Sequence, residues 1–550
     1  MKFNLRTSFI CSSQKKVNSV LLVLCAVFFT SAQVVTAQPS NQKTKPALTE
    51  AKQLLQNNRL DEAESLVRKV LAASSKDLEA KTLLGVILDQ KGDLAAAEKE
   101  YKAVLQLNPR VVPALANLGV LLLKTNRPEE AIKTLEKVLL LQPNHEQAAY
   151  NLAVIYSTRG DYKKSLPLLE KVVGITPKNK TPKTRDYALL LALAKSYAAD
   201  GKTPELNNII AYVENSGNTD VRVWFTLGLM LAQVNQYESA VKLFEKVNSE
   251  RPNNFDVFYN LGISYYNINK FDEAQNVLLQ ALSVNQNSPE LYYRLGLTAS
   301  AKKDSDAAVS FWLKALEMKQ NYAEVNFLIG EELLKNKKNS GAVPFYEKAA
   351  AQEPDNTLYQ MRLGVSYFRV QQYNQARAIF EKLAGKYPKN FNLNYLKGYT
   401  ARAEGLYDEA IDAFEKALTI SPNNPEILAN LAFIANQRGD VVKAEKMLRD
   451  VLRLDPKNFP AYYDLGRLLI KQKKYAEAVI ILERGAGLNK NDPGVRYQLF
   501  IAYSRLKQTA KADSALAEFK RLEKEFSKTG AATAEEKAPD LPNSIEQKKP

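Results

Sequence analysis

From about residue 43 to 527, apolar residues fall three and four apart in runs of about twelve, and short polar elements such as "RGD" (159 to 161) and "PNN" (422 to 424) separate the runs. That spacing puts the apolar side chains on one face of an α-helix, and the breaks are turns. The runs come in pairs. A small residue recurs in the first run of each pair: Gly85, Gly119 and Ala153, then after a longer step Ala194, Gly228, Gly262, Gly296, Gly330, Gly364, Gly398, Ala432 and Gly466. Twelve residues further on, in the second run, a second small residue recurs, as in Ala97, Ala131, Ser165, Ala240, Ala274 and Ala410. Proline closes many pairs, at Pro109, Pro143, Pro177, Pro252, Pro354, Pro388, Pro422 and Pro456.

A glycine in mid-helix costs about 1 kcal/mol against alanine, so its recurrence needs a compensating contact. Small residues where two helices cross supply one, because the backbones then approach closely. Proline ends the second helix of each pair. Each hairpin can bury its apolar face only against its neighbours, which predicts an all-α solenoid of about fourteen 34-residue helix-turn-helix units over 43–527.

With the first small residue numbered 8 in each unit, the unit around Gly228 has Trp224, Leu227, Gly228, Ala240, Phe244, Val247 and Pro252 at positions 4, 7, 8, 20, 24, 27 and 32, with Leu231 at 11. This resembles the tetratricopeptide repeat family, whose pattern has Tyr at 11, where this unit has Leu231, and Ala at 27, where it has Val247. The resemblance implies a right-handed superhelix whose first helices line a concave groove that holds extended peptides or partner helices. The fifth unit departs from it: the insertion "KNKTPKTRD" (178 to 186) precedes it, Leu206 stands where the second small residue belongs, and it ends in "NSGNTD" (215 to 220). Both a hinge and a surface loop fit this stretch. The last unit has Phe500 at position 8, and its second helix continues through "LAEFKRLEKEF" as a capping helix would.

Outside the array, residues 1 to 37 combine Lys2, Arg6, Lys15 and Lys16 with the apolar run "VLLVLCAVFFTSA" and the small residues of "VTA" before Gln38. These are the parts of a secretory signal peptide, with Ala37 the last residue removed. The expectation is an exported protein, periplasmic or secreted, the alternative being an anchor formed by the uncleaved segment. Residues 38–42 read as a short linker, and 528–550, poor in bulky apolar residues, as a disordered tail. Cys11 and Cys25 both lie in the first segment, so a cleaved chain has no disulfide, thiolate metal site or cysteine nucleophile. With 76 basic and 60 acidic residues, an exported chain meets acidic protein segments, anionic glycans or a membrane surface rather than nucleic acid.

Little here supports catalysis. The single histidine, His145, reads as an exposed turn residue, no Walker-type loop or dinucleotide glycine cluster occurs, and Glu331 with Glu332 reads as a solvated helix face. No metal or other cofactor is expected, and Trp224 and Trp312 fall at core positions.

Binding is left to the helix face that packing does not use. Position 5 carries Tyr150, Phe225, Tyr259, Tyr293, Phe327, Tyr395, Tyr463 and Tyr497, either as contact surface for a partner or as packing between first helices. Position 6 carries Asn117, Asn151, Asn260 and Asn430, similar to the asparagine ladder of O-linked N-acetylglucosamine transferases, which implies amides that pair with a bound peptide backbone. Tyr266 joins them. Arg222 and Arg294 lie among carboxylates, whereas Lys335, Arg362, Arg369, Arg402, Arg467, Lys471 and Arg505 face only Glu426 and Asp464 on this side. These residues predict a non-enzymatic scaffold of the cell envelope that grips extended, acidic segments of protein partners. The alternative is an accessory to envelope polysaccharide synthesis or export, with direct glycan contact. Nucleic acid is not an expected partner, and a membrane is one only if the first segment is retained.

Overall fold

The computed structural model describes residues 45–528, and side chains as far as 525. The expected signal peptide with its Ala37–Gln38 cleavage point, the linker and the tail beyond Lys528 lie outside the described residues. Within them the chain forms fourteen helix pairs and no strand, from Lys45–Gln56 with Leu60–Ala73 to Pro493–Arg505 with Thr509–Lys528. It divides in sequence at Lys302 and Lys303 into an N-terminal and a C-terminal compact unit. In each, first helices of neighbouring repeats touch one another, as Phe255–Asn267 does with Val221–Gln233 and Phe391–Glu404 with Pro425–Gln437. One face of each unit is therefore built of first helices.

The mid-helix glycines have a specific job. Gly85, Gly228, Gly330, Gly364 and Gly398 each lie under an aromatic ring sixteen residues later, at Tyr101, Phe244, Tyr346, Phe380 and Phe414, and a Cβ would come within 2.5–2.9 Å of that ring. Where the residue at position 24 is Leu or Ile, alanine also occurs at position 8, as in Ala153 with Leu169, Ala194 with Ile210 and Ala432 with Leu448. The two small residues do approach each other, since the Ser165 hydroxyl donates to the Ala153 carbonyl at 3.1 Å. The side chain at 24, however, is what fills the space over the glycine.

All fourteen hairpin turns place position 15 in the left-handed region, with φ between 57° and 86°. Within the units, ion pairs join several neighbouring turns: position 14 pairs with position 18 of the preceding repeat in Lys91–Asp61 (2.8 Å), Arg159–Glu129 (2.7 Å), Lys302–Asp272 (2.7 Å) and Arg438–Asp408 (2.6 Å). A second link joins consecutive hairpins, from a tyrosine at position 11 to a glutamate twenty residues earlier. It occurs in Tyr156–Glu136 (2.5 Å), Tyr367–Glu347 (2.6 Å), Tyr503–Glu483 (2.5 Å) and Tyr265–Glu245.

The insertion before the fifth unit is tied down. The Lys183 amide donates to the Val173 carbonyl at 2.8 Å, the Asn179 side chain bridges Gly174 and Thr181, and the Tyr212 hydroxyl donates to the Thr184 carbonyl at 3.1 Å. One apolar cluster runs from Ala153 through Leu193, Leu206 and Trp224 to Ala274, so packing is continuous across 178–220.

Candidate functional site

On the first-helix face of the N-terminal unit, most of the expected binding residues are spent on packing. Tyr259 is 0 % exposed and stacks on Phe255 at 5.8 Å, and burial pushes its hydroxyl up against the pull of Arg294. Asn260 is 0 % exposed, and its amide donates to the Asp256 carbonyl one turn back at 2.7 Å. Tyr293 is buried, and Arg294, only 5 % exposed, lies 5.3 Å from the Tyr293 ring. The reading of Tyr259, Asn260, Tyr293 and Arg294 as partner-facing is thus corrected: adjacent first helices stack closely enough to cover positions 5 and 6. Asn151 is also buried, Asn117 and Tyr150 are half-buried, and Tyr266 rests half-buried on Phe271 at 5.5 Å.

The C-terminal unit packs part of its candidate set in the same way. There Arg362 is mostly covered and held by Glu331 at 3.1 Å, which also accepts from the Tyr346 hydroxyl at 2.6 Å. Glu332 is buried, accepting from Ser305 and from Lys335 at 3.2 Å. The carboxylate pair is therefore structural, not a solvated face, and Arg362 is no free groove charge. Tyr395 is buried; loss of hydration and Glu426 push its hydroxyl up, opposed by the Asn430 side chain and Arg402. The Asn430 amide donates to the Glu426 carbonyl at 2.7 Å, the same internal use as in Asn260. A helical Asn can satisfy itself on the carbonyl four residues back, so a ladder in the sequence is not a ladder of free donors.

What stays in solvent is cationic and aromatic. Arg369, Arg467 and Lys471 are exposed, with no ion pair among the described residues. Arg467 lies over the half-buried Tyr463 at 5.5 Å, and the Arg402 guanidinium lies 4.7 Å from the ring centres of both Tyr399 and Phe433. Asp464 is exposed, yet desolvation by the surrounding protein raises its carboxyl, outweighing the attraction of Arg467 and Arg402. This patch spans the first helices Thr357–Arg369, Phe391–Glu404, Pro425–Gln437 and Phe459–Lys471. Sequence reasoning missed Tyr399 and Phe433, which recur 34 apart at position 9, and the buried Asn326 and Asn394 at position 4.

His145 is half-buried and caps the helix Glu146–Arg159, its Nδ1 accepting from the Ala148 amide at 3.2 Å; burial lowers its pKa. Both tryptophans are buried. Among the described residues no group of three or more His, Cys, Asp or Glu is placed to hold a metal, and no helix is long and apolar enough to cross a membrane.

No curated protein matches the chain. Among solved structures, it is similar to the C-terminal part of a TPR repeat-containing protein from Cytophaga hutchinsonii (20 % identity over 43 % of this chain and 97 % of that one, TM-score 0.39). It is also similar to Naa15/Naa10 bound to HypK-THB (14 %, 90 % and 98 %, TM-score 0.37) and to YrrB, described as a TPR protein with an unusual peptide-binding site (19 %, 34 % and 97 %, TM-score 0.32). Family models described as tetratricopeptide repeat match residues 48–111, 88–155, 146–179, 231–301, 289–322, 361–425, 401–467 and 435–497. Between residues 48 and 497 they leave out 180–230, with most of the insertion and Leu206, and 323–360, with Asn326 and Pro344; most of the last repeat lies beyond 497. With the recurring glycine and ring contacts, these matches show that the chain belongs to the tetratricopeptide repeat family.

Proposed function

We propose that this protein is a non-enzymatic scaffold that binds an extended, acidic segment of a partner protein on the first-helix face of its C-terminal unit. The observation that carries this reading is the solvent-exposed set Arg369, Arg467 and Lys471 beside Arg402, Tyr399 and Phe433. Charge-assisted contacts to carboxylates and stacking on rings suit that set. The N-terminal unit, where Tyr259, Asn260, Tyr293 and Arg294 at positions 5 and 6 are packed, serves as support. We further propose that the chain works in the cell envelope, a reading supported by the composition of residues 1 to 37.

The test is capture of partners from envelope extract by the parent and by a variant with Arg369, Arg467 and Lys471 replaced by Gln. Loss of a partner together with its salt dependence supports the proposal; unchanged capture at low salt sinks it. The ring-and-guanidinium arrangement of Arg402 also suits stacking on a sugar. A glycan array in the same experiment tests the polysaccharide reading, and glycan binding lost on Phe433→Ala would favour it.

A further inference from the structure

We propose that the hairpin-turn edge of the C-terminal unit docks onto an anionic lipid surface. At position 15 the left-handed backbone favours Gly or Asn, and the N-terminal unit uses only those: Asn58, Gly92, Asn126, Gly160, Gly201, Asn235 and Asn269. In the C-terminal unit Lys303, Lys337, Lys473 and Lys507 hold the same conformation at φ 66°, 59°, 62° and 59°. A lysine there strains the turn where glycine would not, so its side chain has a use beyond the turn. All four are exposed and carry no ion pair among the described residues.

Four carboxylates of the same edge are held by other cations: Asp306 by Lys338 (3.9 Å), Asp408 by Arg438 (2.6 Å), Glu404 by Arg377 (2.6 Å) and Glu477 by Arg449 (2.9 Å), while Asp304 and Asp440 cap helices, accepting from the Ala307 and Lys443 amides at 3.1 and 3.0 Å, and leave the lysines in excess. Between the two pairs of lysines lie three repeats, one turning on the uncharged Gln371 and two on Gly405 and Gly439. The two glycine-turned repeats present aliphatic side chains instead: Leu406 is 37 % exposed and Val442 80 % exposed. In the N-terminal unit, position 18, the place of Val442, is often acidic, as in Asp61, Glu129, Glu238 and Asp272. Lysines flanking exposed aliphatic residues match a charged, apolar-tolerant boundary, where both kinds of side chain gain. A soluble polyanion would use the lysines and leave Leu406 and Val442 in water.

The experiment is co-sedimentation of the full chain with phosphatidylcholine vesicles, with and without phosphatidylglycerol. The main variant replaces Lys303, Lys337, Lys473 and Lys507 by Gly, which relaxes the turns, so lost binding is not lost folding. A control of equal charge replaces Lys178, Lys180, Lys183 and Arg185 in the insertion by Gln. Any contribution of residues 1 to 37 is common to all three proteins. With each lysine near an anionic surface worth about fivefold in partitioning, the glycine variant should lose at least about tenfold on phosphatidylglycerol vesicles and the control little. Leu406→Ser with Val442→Ser should reduce the binding that survives high salt. The proposal is overturned if the glycine variant sediments like the parent, if the control falls as far, or if a soluble polyanion such as heparin takes up the lysine-dependent binding while vesicles do not.

Discussion

In the N-terminal unit, Tyr259 and Tyr293 at position 5 and Asn260 at position 6 are covered by neighbouring first helices, and every hairpin turn rests on Gly or Asn. In the C-terminal unit, Tyr463 is half-buried, Arg467 and Lys471 reach solvent, and lysines occupy strained turns. Both units keep the same core positions. What separates them is the use made of the positions that the hairpin can spare, and the contrast teaches that a repeat specifies its own packing far more tightly than its surface.

The strongest way to break this comparison is to truncate the same position in both units. Tyr259→Ala should cost about 3–5 kcal/mol, as for a fully buried aromatic, and Tyr463→Ala under about 1 kcal/mol, read by thermal unfolding and by hydrogen exchange in the affected repeat. Equal losses would mean that position 5 is core throughout. Next comes the ring over the glycine. Gly398→Ala drives a Cβ to 2.7 Å from the Phe414 ring and should destabilise by about 1–3 kcal/mol, with Phe414→Leu restoring part of the loss. Gly262→Ala meets Cγ and Cδ2 of the buried Leu278 at 2.6 Å, but Ala153 with Leu169 and Ala432 with Leu448 already pair alanine with leucine at these positions, so the shift is offset by the helix-propensity gain of about 1 kcal/mol and the change is near neutral.

The tyrosine–glutamate links are common to both units and sharpen what is shared. Burial first, then the Glu347 hydrogen bond, pushes the Tyr367 hydroxyl up to about 12, and Tyr503 beside Glu483 likewise to about 12. A raised folded-state value means stability that is full below the unfolded tyrosine's pKa of about 10 and is lost as pH rises through 12. Melting curves should fall across that window, and Tyr367→Phe with Tyr503→Phe should flatten the fall while lowering neutral-pH stability by about 1 kcal/mol per link. The smallest effect lies in the turns: Gln371→Gly and Lys473→Gly should each raise stability by up to about 1 kcal/mol, whereas Gly160→Lys should lower it by a similar amount.

The solenoid was legible because its determinants lie within one hairpin, at fixed spacings of twelve and sixteen residues. The candidate site was legible only in part. Whether Asn260 or Tyr259 faces solvent is decided by the helices on either side, and Glu332 is buried by Ser305, which belongs to another repeat. Arg369, Arg467 and Lys471 were found because long cations rarely bury without partners. The tyrosine–glutamate spacing of twenty stood in the sequence and was missed, since it crosses the boundary at which one unit is compared with the next.

That link and the glycine contact also set the terms on which the array can change length. The contact is written inside a hairpin and the link joins one hairpin to the next, so excising 34 residues from any regular stretch moves both in register. Loss of residues 357–390 would bring Phe391 directly after Asn356, a junction of the kind the chain already makes elsewhere. The chain is in this sense editable by whole periods, and an excision of any other length would leave a severed pairing at its seam.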